Sequence, residues 1–302
     1  MFLSALPKST ISGVSAIGTA IAVALVAAIS LSAAPAIAQS SSSTIKPTIV
    51  LVHGAFAESS SWDGVVPLLQ ARGYRTIAAA NPLRAVKSDA DYVSEIIRSV
   101  PGPVVLAGHS YGGHVITGAA TFNANVKALV YVAAFAPEAG ESAADLSSRY
   151  PGSTLGPTLA PPVPLNDGGN DLYIQQDKFA AQFAADLPPE VANLMAVSQR
   201  PVTDTALKGT VKSATWKSLP SWSIYGANDK NIPPAMLAFM AKRANSKKTV
   251  VVANASHVVM VSHPKEVADL IIEAADSVTQ YSYSNRTLAC QTTTDQIRPC
   301  LN

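Results

Sequence analysis

The sequence predicts an α/β fold: a mostly parallel sheet flanked by helices, with a helical cap inserted between two core strands. Three observations predict it. From Pro47 onward, short apolar runs alternate with amphipathic stretches, the pattern of parallel strands joined by crossover helices. Several runs are β-branched with no polar alternation, as strands buried on both faces require. Between Pro137 and Leu219 the alternation stops, and an insert of that length in a compact domain is characteristically a lid over a site.

The first 38 residues read as a signal peptide. Lys8 is the only charged residue before Lys46, an apolar run occupies 17–31, and Ala36-Ile37-Ala38 supplies a small-x-small cleavage site. Cleavage near Ala38 predicts an exported chain, periplasmic or secreted. Left uncleaved, the same segment is long enough to anchor the chain in a membrane. Residues 39–46, with serines at 40–43, read as a flexible lead-in.

The core is expected over 47–137 and 219–279. Its strand candidates are 48–53, 75–79, 104–107, 128–133, 221–225 and 248–252, with helical patterns at 62–71, 90–99, 112–122, 234–243 and 264–277. The cap is expected over 138–218, Pro- and Gly-rich through 151–170 and helical near 173–185 and 190–198. The tail, 280–302, holds both cysteines of the chain, Cys290 and Cys300. An even count in a polar tail of an exported protein reads as one disulfide and leaves no zinc site. The formal charge is +2, from 22 basic and 20 acidic residues without a long charged block, which gives no footprint for a nucleic-acid partner.

The chemistry concentrates at Gly108-His109-Ser110-Tyr111-Gly112. A G-x-S-x-G between a strand run and a small-residue helix is a nucleophile elbow, whose turn pushes Ser110 into a strained, exposed position. A serine hydroxyl needs a base, and the base an orienting carboxylate. On strand–elbow–helix frameworks these follow in the order nucleophile, acid, base. Of five histidines, His53 and His109 precede the serine, His114 lies on the following helix, and His263 adjoins Pro264. His257, in a loop after the last strand run, is the candidate base. Asp229, in the loop after 221–225, is the candidate acid, with Glu138 as fallback and Asp145 as a weaker choice. The oxyanion hole calls for two backbone donors: the N–H of Tyr111 and that of Ala55, with Phe56 as alternative to Ala55. His53 is expected to brace that loop. Pocket candidates are Phe56, Tyr111, Phe179, Phe183, Leu187, Leu194 and Met195, each of which also suits plain core packing.

Leu51-Val52-His53-Gly54-Ala55-Phe56, Gly108-His109-Ser110-Tyr111-Gly112-Gly113, Tyr225-Gly226-Ala227-Asn228-Asp229-Lys230-Asn231-Ile232-Pro233-Pro234 and Ala255-Ser256-His257 resemble the α/β-hydrolase superfamily. They are similar in particular to the branch of plant methylesterases and hydroxynitrile lyases, with many bacterial carboxylesterases. The resemblance runs from about Thr48 to Ser277 and skips most of the cap. It implies the α/β-hydrolase fold, a Ser110–Asp229–His257 triad, and no metal or organic cofactor. The lyases of that branch carry a threonine where Gly54 stands and a lysine where Val258 follows the histidine, so the resemblance favours hydrolysis. An aspartate nucleophile, needed for haloalkane dehalogenation, is excluded by Ser110. The expected protein is an exported serine hydrolase that cleaves small to medium carboxylic esters through an acyl-enzyme. The alternatives are hydroxynitrile-lyase-like or cofactor-free perhydrolase activity on the same triad, or a slow-turnover ligand-binding protein.

Overall fold

The computed structural model describes residues 42–166 and 168–283. The expected signal peptide, its cleavage site and the Cys290–Cys300 pair lie outside the described residues. The chain runs through β1 (Ser42–Ile45), β2 (Thr48–Val52), a 3-10 turn at Ser59–Trp62, α1 (Val66–Ala71), β3 (Thr76–Ala79), α2 (Val86–Arg98), β4 (Val104–His109), α3 (Gly112–Ala120) and β5 (Val126–Val132). The insert contributes α4 (Ala143–Ser148), β6 (Val163–Pro164), β7 (Asn170–Leu172), α5 (Gln176–Phe183), α6 (Pro189–Ser198), β8 (Val202–Thr203) and α7 (Asp204–Lys208). The core then resumes with β9 (Ser221–Gly226), α8 (Pro234–Arg243), β10 (Thr249–Val252), α9 (Val259–Ser262), α10 (Pro264–Ser277) and β11 (Gln280–Tyr283).

Six strands form one parallel sheet in the order β10-β9-β5-β4-β2-β3, and each corresponds to a predicted strand. The central strands β2 and β4 are buried along their whole length, which is why their sequences carry no polar alternation. Helices α2 and α3 pack together, while α10 packs on α1 and reaches β4, β5 and β9. The chain passes from β2 outward to β3 and then back to β4 on the other side of β2. The loops after β2 and β4 therefore flank a crevice at the carboxyl edge of the sheet, where ligands of open α/β sheets bind.

Several elements differ from expectation. The helix expected at 62–71 is split by a turn at Gly64, where an added Cβ would lie 3.0 Å from the Pro264 Cβ. Helix α2 starts earlier than the expected residue 90, and its first turn includes Asp89, whose N–H donates to the Ala85 carbonyl at 2.9 Å. The lead-in is not without structure, since β1 pairs antiparallel with β11, from Ser42↔Tyr283 to Ile45↔Gln280. The insert is not wholly helical either: β6, β7 and β8 form an antiparallel sheet of strands too short to show a period. Asp145 is the N3 residue of a capping box, its Oδ2 taking the Ser142 N–H while Ser142 Oγ accepts from the Asp145 N–H at 3.1 Å.

The start of the insert is pinned to the core by one carboxylate. Arg243 of α8 grips Glu141 with two hydrogen bonds of 2.9 and 2.7 Å, Arg149 lies 2.8 Å from Oε1, and the Glu138 N–H donates to Oε2 at 2.9 Å. Burial pushes the Glu141 carboxyl up, but these donors outweigh it and hold its pKa at about 2. A carboxylate depressed in the folded state contributes stability above its ordinary range near 4.5, and that contribution is lost as the pH falls toward 2. Glu141→Gln is expected to cost about 2 kcal/mol at neutral pH. Urea denaturation at pH 7 and pH 3 should show the gap to wild type shrinking at the lower pH.

Candidate active site

Strand β4 ends in a turn whose closeness dictates its residues. A Cβ on Gly108 would meet the Gly112 carbonyl oxygen at 2.6 Å, so the two glycines of the G-x-S-x-G motif are pressed together. Between them Ser110 holds φ +54°, a left-handed conformation costly for a residue with a side chain. It is fixed on both sides: its N–H donates to the Val132 carbonyl at 3.2 Å, and its own carbonyl accepts from Gly113 N–H at 3.0 Å and Phe135 N–H at 3.2 Å.

His257 comes from the loop after β10 and Asp229 from the loop after β9. Ala227 N–H donates to the Val252 carbonyl at 2.9 Å and Asn228 N–H to the Ala255 carbonyl at 3.0 Å, so these loops hold each other. His257 Nε2 lies 2.9 Å from Ser110 Oγ and Nδ1 lies 2.7 Å from Asp229 Oδ2. Since the carboxylate only accepts, Nδ1 carries the proton and Nε2 accepts from the serine hydroxyl. The other carboxylate oxygen, Oδ1, accepts from the N–H groups of Asn231 at 2.8 Å and Ile232 at 3.0 Å. All three side chains are buried, and they form one continuous row of hydrogen bonds.

The other four histidines are engaged elsewhere. His53 Nδ1 donates to the Gly54 carbonyl at 3.0 Å, and the His53 carbonyl accepts from Asn81 Nδ2 at 2.9 Å. His109 Nε2 donates to the His257 carbonyl at 3.1 Å, His114 Nε2 to that of Glu141 at 3.3 Å, and His263 Nδ1 pairs with Ser262 Oγ at 2.9 Å. Burial lowers the pKa of His53 and His114 to about 4 and that of His109 well below the usual histidine range. Neither substitute acid reaches His257. Glu138 pairs with Lys217 at 2.7 Å, and Asp145 is spent on its cap.

Among the described residues, the N–H groups of Ala55 and Tyr111 donate to no protein acceptor. Phe56 N–H instead donates to the Arg200 carbonyl at 3.0 Å, which removes Phe56 as the alternative donor. Beside Ser110 lies a cavity of about 60 Å³ lined by Ala55, Phe56, Tyr111, Phe135, Ala143, Ala144, Ser147, Leu155, Leu207, Asn231 and Ile232. Of the pocket candidates, Phe56 and Tyr111 line this cavity, and Phe179, Phe183, Leu187, Leu194 and Met195 do not. Phe183 meets His257 edge-on with ring centroids 5.1 Å apart, backed by Phe179 at 4.9 Å, so these two wall off the histidine. Helix α6 buries Ala192 and Ala196, and Leu194, about 200° around the helix from Ala192, is 66% exposed. Leu187 and Met195 pack half-buried against the core.

Two residues near the site were not anticipated. Asp89, buried on α2, accepts from the Tyr111 hydroxyl at 2.8 Å, and Asn81 braces the loop after β2. Asp89 had a signal in the sequence, a carboxylate on the apolar stripe formed by Val86, Ala90, Val93 and Ile97. Asn81 had none.

A chain whose parallel sheet presents a serine elbow, a histidine and a carboxylate at its carboxyl edge has the framework of an α/β hydrolase. Residues 49–270 match the alpha/beta hydrolase family, and the protein belongs to that family. It is 26% identical to the alpha-hydroxynitrile lyase of Arabidopsis thaliana over 74% of this chain and 95% of that protein. It is 27% identical to a pyrethroid hydrolase of Sphingobium wenxiniae over 77% of this chain and 89% of that one. The crystal structure of polyneuridine aldehyde esterase superimposes with a TM-score of 0.66 at 20% identity, covering 76% of this chain and 99% of that one.

Gly54 is pressed directly against the serine turn. A Cβ there would stand 2.5 Å from the Ser110 Cβ and 2.7 Å from the His109 carbonyl oxygen. Gly54→Ala must displace the elbow, and a shift near 1 Å in a reacting group costs on the order of 100-fold in rate. The expected loss is to be read as the rate at which a fluorophosphonate labels Ser110, compared with wild type.

Proposed function

We propose that this α/β hydrolase is a serine carboxylesterase. The observation that carries the reading is the buried row Ser110–His257–Asp229, joined to two backbone donors without a protein partner. Ser110 Oγ attacks the ester carbonyl as His257 Nε2 takes its proton, and Asp229 holds the imidazolium that forms. The developing oxyanion is met by the N–H groups of Ala55 and Tyr111. His257 returns the proton to the leaving alcohol, and water then cleaves the acyl-enzyme by the same route.

Relatives of similar identity include both a lyase and a hydrolase, so identity alone does not choose between them. Gly54 and Val258 do. The space beside Ser110 at Gly54 admits no side chain, and Val258 is buried, so the polar groups that a cyanohydrin-cleaving site would place there are missing.

The cavity supports an assignment of the substrate's two halves. A leaving oxygen must lie within hydrogen-bond reach of His257 Nε2. The cavity wall contains Ser110, Ala55 and Tyr111 but not His257, so it takes the acyl side. Its volume is about 60 Å³, against the roughly 30 Å³ of one water and the 150 Å³ of a cavity that holds benzene. We read a volume of that order as favouring acetyl and propionyl groups over benzoyl. Longer chains run out past exposed Ala144 and gain no further burial. We further propose export after cleavage near Ala38 and a Cys290–Cys300 disulfide, readings supported by sequence alone. N-terminal sequencing and thiol alkylation of the protein recovered outside the cytoplasm test them.

Hydrolysis of p-nitrophenyl acetate is the primary test. Ser110→Ala is expected to lower kcat by about 10⁵–10⁶, and wild-type turnover by that variant would overturn the assignment. Across a p-nitrophenyl series, kcat/KM should favour acetate and propionate over benzoate by on the order of tenfold or more. Leu207→Ala, which enlarges the cavity, should move the preference toward longer chains.

A further inference from the structure

We propose that Asp89 is a positioning residue for the oxyanion hole, acting through the phenol of Tyr111. The inference rests on the esterase reading only in giving the Tyr111 N–H its role; the contact itself is independent of it. Tyr111 follows the strained Ser110, and the direction of its N–H is set by the same backbone turn. Its side chain is held at two points. The ring stacks on His114, with centroids 6.2 Å apart and planes 14° from parallel. The hydroxyl donates to Asp89 Oδ2 at 2.8 Å.

Asp89 has no exposed surface and spends both oxygens on donors, since Oδ1 accepts from the Arg84 backbone N–H at 3.1 Å. As a carboxylate it accepts from both the phenol and the backbone N–H, although burial raises its pKa above the ordinary carboxylate range. A buried carboxylate with a purely structural task is an expensive choice, because an apolar residue at the same place on α2 would pack without desolvating a charge. What a carboxylate supplies and an apolar residue does not is a charge-assisted bond that fixes the phenol. A left-handed non-glycine residue persists only where its surroundings over-determine it. With the phenol fixed, the peptide between Ser110 and Tyr111 cannot relax by swinging the Tyr111 side chain.

The anchor is itself held. Arg84 Nη1 pairs with Asp171 of β7 at 2.7 Å, Nη2 donates to the Pro201 carbonyl at 2.8 Å, and the Thr203 N–H donates to the Leu83 carbonyl at 3.1 Å. The loop that gives Asp89 its second donor is thus tied to the strands of the insert.

The test compares Tyr111→Phe, Asp89→Asn and the double variant in full-length protein, with reactive sites counted by the endpoint of organophosphate titration. Tyr111→Phe is expected to lower kcat for p-nitrophenyl acetate on the order of tenfold per titrated site with KM little changed, less than loss of a whole oxyanion donor. Asp89→Asn keeps a contact by turning its amide toward the phenol oxygen and should lose less. The double variant should be no worse than Tyr111→Phe, because both changes act on one interaction. Unchanged kcat per site alongside a lowered melting temperature would overturn the inference, as would effects that simply add. Should wild type titrate but fail to hydrolyse esters, the esterase reading fails alone. The same comparison is then made on the rate of Ser110 phosphylation, which uses the same oxyanion donors and is expected to fall similarly in Tyr111→Phe.

Discussion

The backbone of Ser110 is the constraint on which the rest depends. A left-handed serine at the end of a buried strand is unfavourable by itself, and much of the surrounding sequence makes sense as what forces it. Gly108 and Gly112 permit the close turn. The carbonyl of Val132 on β5 takes the serine N–H, and the segment entering the insert returns Phe135 N–H to the serine carbonyl. Two neighbouring strands and the first residues beyond them therefore cooperate to hold one dihedral angle. In return Ser110 Oγ stands clear of β4 and beside the loop from β10, without a side chain at Gly54 to contest the space.

Burial organises the electrostatics around that point. His53, His109 and His114 are kept neutral by desolvation. This matters most for His109, whose ring centroid lies 4.8 Å from that of His257. In the proposed reaction a charged ring there would repel the imidazolium formed on His257, whereas a neutral ring spends its one proton on the His257 carbonyl. The Phe183 edge closes the other approach to His257. His257 touches the carboxylate of Asp229, of the sign that the imidazolium of the proposed reaction requires.

How much of this was legible in the sequence follows from what each feature depends on. The six core strands are buried on both faces or at an edge, so composition alone marks them. The meeting of Ser110, His257 and Asp229 was readable because a proposed serine nucleophile calls for a base and an acid at known places along a parallel sheet. The insert was only half legible: α5 and α6 carry helical patterns, while β6 and β8 are two residues each. The assignment of Leu194 to the pocket erred because hydrophobicity without rotation cannot say which way a helix turns, and small Ala192 and Ala196 faced inward instead. Asp89 meets Tyr111 across 22 residues of sequence, a proximity that only the packing of α2 against α3 creates.

The bond from Phe56 N–H to the Arg200 carbonyl carries a thermodynamic consequence. It joins the loop after β2, where Ala55 offers its donor, to the far end of the insert, and Arg200 reinforces the junction through Glu58 at 2.8 Å. Attachment of the insert and the shape of that loop are therefore coupled equilibria. By linkage, whatever occupies the loop and favours its present shape strengthens the hold on the insert by the same free energy with which an attached insert strengthens binding. Occupancy of the loop and attachment of the insert are then two readings of one coupling.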